Sequence, residues 1–249
     1  MLLCFLIKMR NLPSKNLIEL LDVSSLRKCM ILKRLNRFVV EALAENKVIK
    51  LNIRNSGRLQ KLLVKDFQAL YKPKQFGKTS GYLIAIRVND DYAIVDTNFQ
   101  MTLWELLIDK ELLPWLKGFK IKQRNVRLGE SLVDYLLEKN DIRLLVEIKS
   151  ATHVEDSIAM YPDAPTRRGR RHIDELAKLA SRGFKTAVYF IAAHPHAKAF
   201  RIYREVDDEL YQIALKAIRN GVDLKATKMF VTKNLKAMAL TTPLPIIWH

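Results

Sequence analysis

The hydrophobic pattern changes period partway along the chain. From about Met30 to Asn98, short apolar runs alternate with polar breaks, the spacing of strands joined by turns. Ile31–Ala44 and Val48–Arg54 flank a polar turn, Glu45-Asn46-Lys47. Leu62-Leu63-Val64, Gln68–Tyr71, Tyr82–Val88 and Tyr92–Val95 follow, the last two divided by Asn89-Asp90-Asp91. Asn and Asp suit such breaks because they tolerate left-handed backbone. Five or six strands in so little chain predict a small β-barrel of OB-like type. At Met101–Leu113 the period becomes helical; Pro114 ends the helix, and Trp115–Gly118 marks a domain boundary.

Beyond that boundary strands and helices alternate. Strands are expected near Lys120–Val126, Leu132–Glu138, Arg143–Lys149, Thr186–Ala192 and Val222–Val231, with helices over Arg168–Ser181 and Asp207–Asn220. This alternation predicts an α/β domain. The expected division is an N-terminal extension over 1–22, a barrel domain over 23–113 and an α/β domain over 114–249. The extension reads as detachable, since Asn11-Leu12-Pro13-Ser14 breaks any helix begun before it and Met9 offers a second start.

Charge narrows the partners. Lys and Arg outnumber Asp and Glu by 43 to 26, for a net charge of +17. Polyanions are therefore the expected ligands, nucleic acid before an anionic membrane surface. Cys4 and Cys29 form no CxxC pair, so neither a structural zinc site nor a disulfide framework is expected. Met1–Ile7 is too short to span a bilayer and lacks the flanks of a signal peptide, so the expected location is cytoplasmic.

Candidate chemistry concentrates in Leu132–Lys149, LVDYLLEKNDIRLLVEIK. If Asn140-Asp141 closes a two-residue hairpin, position 139 faces 142 and Asp134 falls opposite Glu147. Glu147 and Lys149 then share a face, with Val146 and Ile148 on the other. Like charges directly opposite are destabilising, and more so in apolar surroundings. A divalent cation held by both carboxylates removes the conflict; so does a salt bridge in which Lys149 neutralises one of them. The hairpin alone leaves both readings open. Two carboxylates, waters and substrate phosphate are a usual Mg²⁺ arrangement, and Mn²⁺ accepts the same ligands. Glu130 lies just before the Asp134 strand and offers a further acidic group.

Asp134 followed by Glu147-Ile148-Lys149 on the next strand resembles the PD-(D/E)XK nuclease core. More specifically, VEIKSATHVED at Val146–Asp156 and YPDAPTRRGRRHIDEL at Tyr161–Leu176 resemble the sugar fermentation stimulation protein A family. The basic-aromatic Lys33–Phe38 and the loop Asn55-Ser56-Gly57-Arg58-Leu59 resemble that family's N-terminal motifs. The resemblance runs from about Leu26 to the C-terminus. It departs at Arg54, where the family loop often has Pro, and at Arg167, where the family often has Glu. It implies an OB-like N-terminal domain joined to a PD-(D/E)XK nuclease-like α/β domain. It also implies DNA binding, single- or double-stranded, and a role in regulating genes of sugar metabolism. On it, Asp134, Glu147 and Lys149 take the nuclease metal and lysine positions, and Glu130 the acidic position before them. Two functions are therefore expected to compete: a metal-dependent nuclease, and a non-catalytic DNA-binding regulator that keeps the fold. Oligomeric state stays open.

Arg167, Arg168, Arg170, Arg171, Lys178 and Arg182 crowd the first helix of the α/β domain, where cations suit phosphate contact. Ile173, Leu176, Ala177 and Ala180 form its docking stripe, while Arg168 and His172, four apart, lie off the stripe and toward the metal site. In the barrel, Arg34, Arg37, Phe38 and Arg58 pair charge with an aromatic face, the combination that single strands use, although Phe38 by itself reads first as barrel core. Asp163 reads as a turn cap, and His194-Pro195-His196 as a surface loop.

Overall fold

The computed structural model describes residues 16–128 and 131–248. Its chain starts with β1 (Leu17–Asp22), then β2 (Arg27–Asn36), β3 (Val39–Ala44), β4 (Lys47–Asn52), β5 (Gln68–Pro73), β6 (Gly81–Val88) and β7 (Asp91–Ile94). β2, β3, β5 and β6 pair antiparallel with their neighbours, and β4 closes the ring by running parallel to β6 at Leu51–Gly81 and Asn52–Tyr82. The result is a closed five-stranded barrel, which leaves few strand edges open. Ile31, Val40, Leu51, Leu83 and Ile86 fill it, all fully buried. Glu45 and Asn46 form a two-residue turn with both residues at positive φ, the hairpin geometry that matches strand twist.

Two expectations about the barrel are corrected. Ile31–Ala44 is not one strand; Arg37-Phe38 turns the chain between β2 and β3. Leu62–Val64 forms turns rather than a strand, because Leu62 and Leu63 donate back to the Leu59 carbonyl.

The helix α1 (Thr97–Asp109) is capped by Asp96, whose Oδ1 accepts from Phe99 N at 2.7 Å. It begins and ends four residues earlier than its apolar spacing suggested. The sequence placed it with the barrel, but it packs on the second sheet: Trp104, 1% exposed, lies 4.8 Å from Tyr135 and 6.3 Å from Tyr189.

That sheet is built from β8 (Lys120–Leu128), β9 (Ser131–Lys139) and β10 (Ile142–Ala151), all antiparallel neighbours. After β11 (His153–Glu155) and β12 (Ile158–Tyr161), the helix α2 (Arg167–Ala180) leads to β13 (Lys185–Ala192), parallel to β10. β14 (Ala199–Ile202) and α3 (Asp208–Arg219) then precede β15 (Asp223–Val231), parallel to β13. The chain finishes with β16 (Lys236–Leu240) and β17 (Ile246–Ile247). β11, β12, β14 and β17 form a small side sheet. These short strands had no separate sequence signal.

β13 is buried on both faces, as a central parallel strand must be. Ala187, Tyr189 and Ile191 face the α1 core; Val188, Phe190 and Ala192 face the α2–α3 core. Leu17–Asp22, read as part of a detachable extension, is an edge strand paired with β16. The rest of that extension, residues 1–15, lies outside the described residues. No described helix is long and apolar enough to cross a membrane.

Candidate functional site

Asn140-Asp141 forms the two-residue turn that the sequence implied, with Asn140 at φ 52° and Lys139 paired to Ile142. The ladder runs to Val146–Tyr135, so the next positions on the two strands are Glu147 and Asp134. There the Asp134 side chain replaces a backbone acceptor: its Oδ2 accepts from Ile148 N at 2.7 Å. Asp134, Glu147 and Lys149 line one cavity of about 420 Å³.

Glu147 is 2% exposed. Its Oε1 accepts from Lys149 Nζ and from His172 Nδ1, the latter at 2.5 Å. Its Oε2 is buried with no hydrogen-bond partner. The ion pair of Lys149 with Glu147 is thus present, with Asp134 lining the same cavity. Lys149 takes one oxygen of Glu147 and leaves the other free.

The charges are strongly coupled. Burial and the Glu147 charge push the half-buried Asp134 carboxyl up to about 6. Burial also pushes Glu147 upward, but the His172 hydrogen bond and the Lys149 charge outweigh it and hold Glu147 below the usual carboxylate range. Burial works against the Lys149 ammonium, yet Glu147, Tyr161 and Asp134 together lift it above the usual lysine value. Among the described residues no group of three or more His, Cys, Asp or Glu forms a ready metal cage. Asp134 and Glu147 supply hard carboxylate oxygens, one of them the unpartnered Glu147 Oε2, the donor type that a divalent cation takes.

His172 reaches this point because of its helix. Thr166 caps α2 through Gly169 N at 3.0 Å, and Ile173, Leu176 and Ala177 dock on β13. That turns His172, 3% exposed, onto Glu147, with Arg168 Nε 3.4 Å from its Nε2. Gly169 is required here, because a Cβ would meet the Tyr161 hydroxyl at 2.6 Å.

The arginines divide in two. Arg167, Arg168 and Arg171 are exposed on the first turns of α2. Arg170 is committed to Asp207 Oδ1, at 2.9 Å, and to Glu209, and Lys178 is paired with Asp174. In the barrel Arg34 is a clamp rather than a free cation: its guanidinium donates to the carbonyls of Asn36, Arg37, Gly57 and Arg58. Arg37, Phe38 and Arg58 are exposed, and Phe38, 52% exposed, is surface and not barrel core. Arg37 sits 5.6 Å from its ring. Glu130 lies outside the described residues.

Two features escaped the sequence reading. Asp163 is a link between domains, its Oδ2 accepting from Leu59 N at 3.0 Å. The loop Asn55–Gly57 lines the same cavity as Asp134 and Glu147. The only signal was the matching of both motifs to one family, since a contact between positions about a hundred residues apart leaves no local pattern. His194 is also buried rather than a surface residue. Arg54, at the position that departs from the family loop, pairs at 2.6 Å with Asp96, the cap of α1, and stacks on Tyr82.

Comparison with known proteins agrees with this architecture. Residues 32–95 match the SfsA N-terminal OB domain, and residues 98–235 match the sugar fermentation stimulation protein RE domain. A sugar fermentation stimulation protein homolog from Pyrococcus furiosus is 39% identical over 84% of this chain and 90% of its own length. The homolog from Archaeoglobus fulgidus is 36% identical over 78% and 85%. A solved structure of Pyrococcus furiosus SfsA in complex with Ca²⁺ superposes with a TM-score of 0.89 and 35% identity, covering 92% of this chain and 99% of that one. With both domain models matched in order and relatives aligned over most of their length, the chain belongs to the sugar fermentation stimulation protein family.

Proposed function

We propose that this protein binds DNA and hydrolyses phosphodiester bonds at a divalent-cation site held by Asp134 and Glu147. One observation carries the reading: Glu147 Oε2 is buried without a partner, although Oε1 holds both Lys149 and His172. Even a neutral polar group left bare in a buried site costs on the order of 2–7 kcal/mol, and a charged oxygen costs more. A cation facing it removes that cost, and the Ca²⁺ complex of the Pyrococcus furiosus relative supports a divalent ion. Mg²⁺ or Mn²⁺ bound there would polarise the phosphodiester and make water a better nucleophile.

The side chains supply the rest. Lys149 fixes Glu147 and offers its ammonium to charge growing on the phosphate oxygens. His172 orients the same carboxylate, and Arg168 faces His172. Exposed Arg167, Arg168 and Arg171 neutralise backbone phosphates along the approach, with Arg37 and Arg58 on the barrel side.

The test has two arms. Mn²⁺ should raise the melting temperature of the wild type, and Asp134→Ala should abolish that rise. Labelled single- and double-stranded DNA, incubated with Mg²⁺, Mn²⁺ or chelator, should be cut only with metal. Cleavage lost in Asp134→Ala with binding retained supports the enzyme. Binding without cutting under either metal overturns it and leaves a non-catalytic DNA-binding regulator.

A further inference from the structure

The floor of the cavity is β9, β10 and α2, but the opposite wall is the barrel domain: Arg37, Asn55, Ser56 and Gly57. This wall is fastened at several points. Asn55 Nδ2 donates to Val95 O at 2.9 Å, and Asn55 Oδ1 accepts from Gly57 N at 2.8 Å. Arg34 donates to Gly57 O at 3.2 Å, and Asp163 holds Leu59 N from the other domain. Gly57 sits so close that a Cβ would meet Asp163 Oδ2 at 2.6 Å. Swinging the loop away means breaking these bonds together.

We infer that the loop makes this a two-domain site that admits an unpaired nucleic-acid strand and excludes a continuous duplex. The inference rests on the proposed action at nucleic-acid phosphates. A phosphate served by a cation on Asp134 and Glu147 would share its oxygens with that cation and so would have to descend to the cavity floor. There Glu147 is 2% and His172 3% exposed. In a duplex every phosphate is backed by stacked base pairs and flanked by neighbours that stay in line. An unpaired strand rotates about its backbone bonds and can pass one phosphate between the walls. Beside the wall stands what a single strand needs, the exposed Arg37 guanidinium against the half-exposed Phe38 ring.

The experiment is fluorescence anisotropy with the full chain, in Ca²⁺ to suppress turnover. Probes are a labelled oligonucleotide, its blunt duplex, and the duplex with a single-stranded tail. The strand and the tailed duplex should bind about tenfold tighter than the blunt duplex, the scale of one base–aromatic contact. Ser56→Trp, at an exposed loop position, should fill the cavity and remove the preference. Phe38→Ala should weaken strand binding about tenfold and leave the blunt duplex unchanged. Equal or tighter binding of the blunt duplex overturns the inference, and so does a folded Ser56→Trp that keeps the full preference. Failure of the cation reading looks different: Mn²⁺ then leaves the melting temperature unmoved while the strand preference persists.

Discussion

Asp207 ties together the starts of two helices, and replacing it by Ala should loosen the whole α2–α3 face. Its side chain is fully buried. Oδ1 accepts from Leu210 N at 2.9 Å, capping α3, and from Arg170 Nε at 2.9 Å; Oδ2 accepts from Thr166 N at 2.9 Å. Thr166 is itself the cap of α2, the helix that carries Arg168 and His172. Loss of the α3 cap costs about 1 kcal/mol. The part-buried Thr166 N–H, left without its acceptor, costs about 1 kcal/mol more. Arg170 keeps the exposed Glu209, and solvent screens the loss of its partner. The cap and the amide together are worth about 2 kcal/mol. In urea, with a slope of about 3 kcal/mol per molar, the midpoint should fall by about 0.7 M. Asp207→Asn keeps a capping oxygen but not the charge, so it should lie between the two. Hydrogen exchange should quicken in the first turn of α2 and stay unchanged in the barrel. A midpoint for Asp207→Ala within about 0.2 M of wild type, or exchange that rises equally in the barrel, would refute the reasoning.

Other perturbations follow from the same physics. In metal-free protein, Asp134→Asn removes one of two like charges from a part-buried site and should raise stability by about 1–3 kcal/mol in urea, at the cost of the Mn²⁺ response. Trp104→Ala should destabilise by about 3–5 kcal/mol, because the indole fills the core between Tyr135 and Tyr189; thermal unfolding checks this. Burial, with help from His196, holds His194 down at about 3, and its Nδ1 accepts from His196 N. A depressed histidine binds its proton first in the unfolded chain, so stability is complete above about pH 6.5 and falls as pH drops toward 3. This group's share of the loss should reach about 2 kcal/mol at pH 5 relative to pH 7.5, against the opposite trend of Asp134, whose raised value stabilises the fold as it takes up a proton. The difference in urea midpoint between wild type and His194→Gln should therefore change across that range. Gly57→Ala should force the loop off Asp163 and cost about 1–3 kcal/mol in the same assay.

Local chemistry determined much of this protein. Period-two runs and Asn or Asp turns specify the barrel strands and the β9–β10 hairpin, because side-chain alternation and left-handed turn residues act within a few positions. That same alternation brought Asp134 and Glu147 toward one spot from residues thirteen apart. The starts of α2 and α3 were legible to within a residue for the same reason: Thr166 and Asp207 cap them through side chains three residues from the amides they bind. What the tertiary structure alone decided are the encounters between distant segments. α1 lies on the second sheet because Trp104 finds Tyr135 and Tyr189 there, not because of its own spacing. Phe38 emerges on the surface because a turn interrupts what reads as one strand. Arg34 is used up as a clamp, and Asp163 becomes a link, because the loop 55–59 docks between domains. Contacts of that kind arise from three-dimensional packing of whole elements, and packing has no period to leave along a chain.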